Sequence, residues 1–252
     1  MTAPIALITG ATAGFGLAIA RCFAADGWCI VAAGRRQDRL EGLVAELGTE
    51  RCHAVTLDVR DRVAVEQALA TLPAAFMDID LLVNNAGLAL GLNPAQGADV
   101  DDWDAMVDTN CKGLMYVTRA ILPGMVARNR GHVVNIGSTA GEWPYPGGNV
   151  YGATKAFVRQ FSLNLRADLH GTAVRVTDIE PGLVGGTEFS AVRFKGDADK
   201  AAAPYAGTDP LLPEDIADAV HWVATRPARV NVNTLQVMPV SQSFGPLRVH
   251  KA

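Results

Sequence analysis

The chain has 252 residues, 49% of them hydrophobic and 19% charged, which is enough apolar material to bury one large core. Its formal net charge of −4, without any long basic run, argues against nucleic acid or an anionic membrane surface as partner. No apolar run approaches the roughly 18 residues of a membrane span, and the four cysteines show neither C-x-x-C pairing nor a histidine at metal spacing. A reducing compartment, the cytoplasm, and no metal are therefore expected.

The first element is the strand 5–9, "IALIT", whose continuous hydrophobicity suits a strand covered on both faces. It runs into "TGATAGFG" (Thr9–Gly16), with Gly10, Gly14 and Gly16, and then into a helix at 14–25. Glycine allows a tight turn and close approach of backbone to a ligand, and a helix start offers free N–H groups and partial positive charge. A pyrophosphate site is expected there, formed with Ala11, Thr12, Ala13 and Phe15. The spacing is G-x-x-x-G-x-G rather than G-x-G-x-x-G.

The second strand, 29–33, ends in "AAGRR". A site for NAD would carry an acid at that strand end; here Gly34 is followed by Arg35 and Arg36, whose guanidinium groups suit a 2′-phosphate, so NADP is the expected cofactor. A helix at 37–47 leads to a third strand, 53–57, and to "LDV", which places Asp58 and Val59 at the adenine end. After a helix at 62–71 comes the fourth strand, 80–84, and "NNAG", where Asn85, Ala86 and Gly87 pass close to the cofactor.

One long helix is expected over 101–129, then a fifth strand at 132–136. Ser138 stands just past that strand, and Tyr151 and Lys155 open a helix at 150–169, four residues apart and so on one face. A cation beside a phenol favours the phenolate. A sixth strand at 173–179, a helix at 214–225 and a seventh strand at 234–238 complete strictly alternating β and α elements. Such a chain reads as α/β, a single-domain, Rossmann-type, doubly wound parallel sheet that binds ligands at its strand carboxyl ends. Residues 183–212 fit no element and read as a substrate lid.

The set T-G-x-x-x-G-x-G, N-N-A-G, Asn110, Ser138 and Y-x-x-x-K resembles the classical short-chain dehydrogenase/reductase family over essentially the whole chain. The resemblance implies a catalytic tetrad of Asn110, Ser138, Tyr151 and Lys155. Tyr151 would be acid or base for hydride transfer, Ser138 would hold the substrate oxygen, Lys155 would hold the nicotinamide ribose and lower the phenol, and Asn110 would hold a relay water. "EPGLVGGTEF" looks like the family's P-G motif, with Pro181 and Gly182 in a turn and Val184 and Thr187 at the carboxamide and pyrophosphate.

The longer stretches "NNAGLALG", "NIGSTAGEWPYPGGNVYGATKAFVRQFSLNLRADLHGTAVRVTDIEPGLVGGTEFSAVRFKGD" and "NVNTLQVMPVSQSFG" resemble one branch, the NADP-dependent 3-hydroxy acid dehydrogenases, also found as serine or allo-threonine dehydrogenases and malonic semialdehyde reductases. A carboxylate substrate calls for a cation, offered by Arg193 and Lys195, and Trp143 and Tyr145 would wall a compact pocket. A reductase of 3-oxoacyl thioesters is the alternative in the same family, and a non-catalytic NADP-binding sensor is another. Ala156, Phe157, Gln160, Phe161 and Leu165 form a stripe that by family analogy pairs subunits into a homotetramer, and the tail 242–252 would lie across a neighbouring subunit's site.

Overall fold

The computed structural model describes residues 3–245, so all but the first four residues of the tail 242–252 lie outside it. Its strands are β1 (Ile5–Thr9), β2 (Cys29–Gly34), β3 (Cys52–Thr56), β4 (Leu81–Asn84), β5 (Gly131–Ile136), β6 (Val174–Pro181) and β7 (Thr234–Val237). They form one parallel sheet in the order β3-β2-β1-β4-β5-β6-β7. The expected strands agree with these to within two residues. Because the chain builds outward from β1 in one direction and from β4 in the other, their carboxyl ends part at a crevice.

Helices cover both faces: α1 (Gly14–Ala25), α2 (Gln37–Leu47), α3 (Arg62–Ala70), α4 (Val100–Val107), α5 (Leu114–Ala127), α6 (Asn149–Asp168), α7 (Phe189–Arg193), α8 (Ala198–Ala202) and α9 (Pro213–Ala224). The alternation of side chains along β1 divides the core. Ala6 and Ile8 pack with Ile19 and Phe23 of α1, Leu40 of α2, and Ile216 and Val220 of α9. Ile5 and Leu7 face Val65 of α3, Val117 and Met125 of α5, and Leu165 of α6. Each such side chain contributes about 1.5–3 kcal/mol by leaving water, which is why the strands read as unbroken apolar runs.

A buried polar seam fixes the helix that carries Tyr151. Asn84 Nδ2 donates to Asn135 Oδ1 at 2.8 Å and to Thr118 Oγ1 at 2.9 Å, and Asn135 Nδ2 donates to Ser162 Oγ at 2.8 Å. These bonds tie β4 and β5 to α5 and α6 at one register, because a slipped register would leave amides unpaired in the core.

Four sequence expectations change. The single helix at 101–129 is two helices joined by a π-helical turn at Asp108–Gly113. The extra residue turns Asn110 into the interior, where it is 2% exposed, and Gly113 lets the turn close on β3's exit, since a Cβ there would lie 2.6 Å from Val59 Cγ2. Residues 183–212, expected to fit no element, hold α7 and α8, and the two ends of the segment meet where Val184 bridges Leu211. Pro181 is the last residue of β6, paired with Val237, rather than part of a turn; the next N–H, that of Gly182, donates to Val237 O at 2.8 Å. On α6 the buried positions are Tyr151, Thr154, Lys155, Val158, Ser162 and Leu165, while Ala156 and Gln160 are exposed and Phe157 and Phe161 stack on the flank with centroids 5.8 Å apart.

Candidate active site

A cleft of about 1320 Å³ opens over the carboxyl ends of the strands and runs from the glycine loop to the lid. Its floor at one end is the start of α1. The residue ahead of that helix, Ala13, places no side chain on its free N–H groups, and the first turn carries no acid. Gly10 at φ +68° and Gly14 at φ +51° make the turn. Gly16 lets α1 close on it, for a Cβ there would lie 2.6 Å from Asn85 Nδ2. Thr9 ties the loop to the next strand's exit: its Oγ1 accepts from the Asn85 and Ala86 N–H groups, both at 3.0 Å. Exposed helix N–H groups beside small residues fit a pyrophosphate. Gly10, Thr12, Ala13, Gly14 and Phe15 line the cleft, whereas Ala11 and Gly16 are packed beneath it.

At the mouth, Gly34 lies so close to Thr12 that a Cβ would meet Thr12 Cγ2 at 2.8 Å, so no acid fits there without a shift. Arg36 donates to Thr12 Oγ1 through Nε at 3.1 Å and Nη2 at 2.8 Å, while Arg35 is exposed and makes no ion pair among the described residues. This arrangement suits a phosphate and not the ribose hydroxyls alone. Asp58 also lines the mouth, but its carboxylate is held by Arg60 Nη2 at 2.6 Å, which keeps it well below the usual carboxylate range. Val59, Asn85, Ala86, Gly87, Pro181, Gly182, Val184 and Thr187 line the same cleft.

At the other end the expected chemical residues converge. Tyr151 is 8% exposed, its ring edge-on to Phe189 at 5.8 Å between centroids. Ser138 caps a short turn, its Oγ accepting from Ala140 N at 3.1 Å, which leaves its hydroxyl proton free to donate. Lys155 Nζ lies 5.9 Å from the Tyr151 ring centroid and donates to Ile136 O at 2.7 Å. Helical spacing thus joins the pair as expected, but the phenol moves the other way. Burial pushes Tyr151 up to about 12, with the neighbouring Ser138 hydroxyl and Arg193 opposing, and burial lowers Lys155 to about 8. Desolvation disfavours both charged forms more strongly than the two groups help one another at this distance.

Asn110 has its amide fully engaged. Nδ2 donates to Leu88 O at 2.8 Å and Thr154 Oγ1 at 3.0 Å, and Oδ1 accepts from Leu88 N at 2.9 Å. It braces the loop after β4 against α6 and so fixes the height of Tyr151 above the floor.

The segment 183–212 lines the cleft and is anchored there by polar contacts that composition does not reveal. Arg193 donates through Nη2 to Tyr145 Oη at 2.8 Å and through Nε to Gly91 O at 3.1 Å, and its Cζ stands 5.5 Å from the Tyr151 ring centroid. Lys195, the other expected cation, is paired with Asp102 at 2.9 Å and Asp99 at 3.5 Å and does not line the cleft. Trp143 is 43% exposed and packs on Phe244 at 4.3 Å between centroids. Glu188 and Phe189 are additional site residues; an acid next to a phosphate pocket runs against the charge pattern, which hid it. Gln242, whose Oε1 accepts from Leu183 N at 2.7 Å, joins Phe244 in the wall. Among the described residues no group of three or more His, Cys, Asp or Glu is gathered as for a metal, no disulfide forms, and no helix is long and apolar enough to cross a membrane.

Fold, phosphate-fitting loop and the Ser138–Tyr151–Lys155 constellation together define a dehydrogenase of the short-chain class. The family model for short chain dehydrogenases matches residues 4–198, and the chain belongs to that family. Among its relatives, the NADP-dependent 3-hydroxy acid dehydrogenase YdfG of Salmonella typhimurium is 67% identical over 248 residues, covering 98% of this chain and 100% of the relative. The serine 3-dehydrogenase of Agrobacterium fabrum is 52% identical over 245 residues, covering 97% of each. The solved closed form of serine dehydrogenase complexed with NADP+ superposes with a TM-score of 0.97 at 65% identity, covering 98% of this chain and 100% of that one.

Proposed function

We propose that this chain is a single-domain NADP-dependent oxidoreductase interconverting a short 3-hydroxy acid, of serine, allo-threonine or 3-hydroxypropionate type, with its semialdehyde or 3-keto acid. The observation that carries the reading is the guanidinium of Arg193, held by the lid 5.5 Å over the Tyr151 ring. A carboxylate gripped there puts the carbon next to it, or one further, at the phenol. The names of the relatives and the NADP+ in the superposed structure support the same substrate and cofactor.

The start of α1 with Gly10, Thr12, Ala13, Gly14 and Phe15 would hold the pyrophosphate, Arg35 and Arg36 the 2′-phosphate, and Asn85, Ala86, Gly87, Pro181, Gly182, Val184 and Thr187 the remainder. NADP(H), when bound, gives or takes the hydride. Tyr151 donates its proton to the substrate oxygen in reduction and takes it back in oxidation. Ser138 donates a second hydrogen bond to that oxygen as charge develops. With Tyr151 at about 12 and Lys155 at about 8, the protein at neutral pH presents a neutral phenol and mostly an ammonium, which suits proton donation. Lys155 would also hold the nicotinamide ribose. Trp143 and Tyr145 limit the length of the substrate.

A cytoplasmic homotetramer is part of the proposal, with the exposed flank of α6, including Leu163, pairing between subunits. The deciding experiment supplies purified protein with NADP+ or NAD+ and a panel of serine, allo-threonine, 3-hydroxypropionate, 3-hydroxybutyrate and neutral alcohols. Turnover is expected with NADP+ and the acids. Tyr151→Phe is expected to lower kcat about 10²–10⁴-fold while the Kd for NADPH stays within about twofold. Retained turnover in that variant sinks the assignment.

A further inference from the structure

Two acids occupy interior positions of a strand beside Lys155. Asp178 and Glu180 alternate around Ile179 on β6, so they share a face of the sheet, and each is 1% exposed. Their oxygens are short of partners. Among the described residues, neither Oδ1 nor Oδ2 of Asp178 accepts a hydrogen bond, nor does Glu180 Oε1, although Arg159 Nε lies 3.5 Å from it. Only Glu180 Oε2 is satisfied, by Gln236 Nε2 at 3.1 Å. The Asp178 carboxyl lies against Gly137, where a Cβ would meet its Oδ1 at 2.5 Å. Gly137 separates Ser138 from Ile136, and the Ile136 carbonyl is the acceptor that holds Lys155 Nζ.

Among the described residues, the charged and titratable groups that act on the pair or on Lys155 are as follows. Lys155 and Arg159, one turn apart on α6, supply two positive charges. Glu142, after β5, accepts from Arg159 Nη1 at 3.2 Å and Gln236 Nε2 at 3.3 Å. Cys111, from the π-helical turn, is pushed by burial up to about 11 and stays neutral. With all three acids ionised, the group would hold a net negative charge in a low-dielectric interior with unpaired oxygens, which is strongly unfavourable. One proton between Asp178 and Glu180 makes the group neutral and supplies the missing O–H···O bond. In accord with this, burial and the neighbouring Glu180 raise Asp178 above the ordinary carboxylate range, and burial raises Glu180 as well.

Lys155 needs a counter-charge. It is 7% exposed, and no carboxylate lies within ion-pair distance of it among the described residues. Burial alone favours its neutral amine, and Asp178 is the acid whose charge opposes this.

We infer that Asp178 and Glu180 share a single proton and act as positioning residues, the one negative charge left on the pair holding Lys155 as an ammonium beside Tyr151 during turnover. The inference rests on the roles given to Tyr151 and Lys155 above. It predicts an order among variants. Asp178→Asn moves the charge away to Glu180, so Lys155 loses its proton sooner. Glu180→Gln lets Asp178 ionise, so the charge beside Lys155 remains. The double variant removes it altogether.

The test is kcat against pH for carbonyl reduction with NADPH, alongside thermal midpoints for each variant. The alkaline limb is expected to move to lower pH by about one unit in Asp178→Asn, further in the double variant, and least in Glu180→Gln. Coincident limbs, or an equal displacement in both single variants, overturn the inference, since a merely structural pair would change the midpoint and leave the limb in place. Should Asp178→Asn fail to fold, infrared spectra of the wild-type protein decide. A protonated carboxyl band persisting at pH 7 is expected, and its loss together with the ordinary carboxylates by about pH 5 refutes the shared proton. Lys155→Met and Tyr151→Phe run in parallel: retained turnover there removes the reading on which this inference rests, whereas lost turnover with coincident limbs removes the inference alone.

Discussion

Glu188 Oε2 accepts from Arg36 Nη1 at 2.7 Å, while its Oε1 accepts from Arg39 Nη1 at 2.8 Å. A carboxylate just before α7 therefore bridges two guanidinium groups of the second βα unit at the mouth of the phosphate-fitting cleft. A 2′-phosphate calls on the same donors with more charge and more acceptor oxygens. Glu188→Gln removes the competitor but keeps the shape. An exposed ion pair is worth up to about 1 kcal/mol, so the Kd for NADPH should fall by about two- to fivefold, with little change for NADH. Cofactor fluorescence titrations at low and high salt would check this, and the gain should shrink with salt. A weaker NADPH complex would mean that Glu188 serves to keep the lid shut over the cofactor.

The arginines themselves carry a larger effect. Arg36 is oriented by two bonds to Thr12, so its fork is pre-set, while Arg35 makes no ion pair among the described residues. Replacing the pair by Arg35→Asp with Arg36→Ala takes away charge-assisted bonds worth about 1.5–3 kcal/mol each and adds repulsion. The KM for NADPH should rise at least tenfold and that for NADH should change little. Equal changes in the two constants would refute an NADP site.

Burial makes His132 a sensor of acid stability. Its Nε2 lies 2.8 Å from Thr177 Oγ1, and Thr177 gives its own proton to Val232 O at 2.6 Å, so Nε2–H is the donor. Nδ1 has no partner among the described residues, and burial lowers the imidazole to about 3. Because the folded value lies below the unfolded value near 6.5, the unfolded chain binds the extra proton. The full stability is present above about pH 6.5 and is lost as pH falls toward 3. At pH 5 the loss is about 2 kcal/mol. Thermal midpoints of wild type and His132→Asn from pH 7 to pH 5 would check it: the variant should start lower and fall less steeply. Parallel curves would show that the acid sensitivity lies elsewhere.

Most of this arrangement is legible in the sequence because it rests on local rules. Unbroken apolar runs such as Ile5–Thr9 require cover on both faces, and glycines at positive φ mark the turn into α1. The spacing of Tyr151 and Lys155 places them on one face of α6. What escapes is set by partners distant in the chain. The π-helical turn depends on Val59 packing against Gly113. Glu188 meets Arg36 across 152 residues. The rise of Tyr151 follows from the depth at which the lid and α6 bury it, whereas spacing conveys only the nearby lysine. Asp178 and Glu180 sit in a run read as an ordinary strand, since periodicity fixes a face and leaves open which charges meet there.

On the proposed function, Arg193 is the residue expected to set selectivity for an acid substrate. Two of its donors are committed to Tyr145 and Gly91, so its position is fixed, and its guanidinium stands over the Tyr151 ring. A gripped carboxylate gains a charge-assisted, forked contact in a half-buried setting, worth about 1.5–3 kcal/mol. Arg193→Ala should therefore lower kcat/KM for a 3-hydroxy acid by about 10- to 100-fold and leave that for a neutral alcohol within about threefold. Arg193→Lys should recover only part of the loss, because an ammonium keeps the charge and lacks the fork. Tyr145→Phe should show a smaller loss with the same selectivity, since the phenol orients the guanidinium and need not touch the substrate. If acid and alcohol suffer equally in Arg193→Ala, the guanidinium serves lid closure alone, and the carboxylate must be held elsewhere in the cleft.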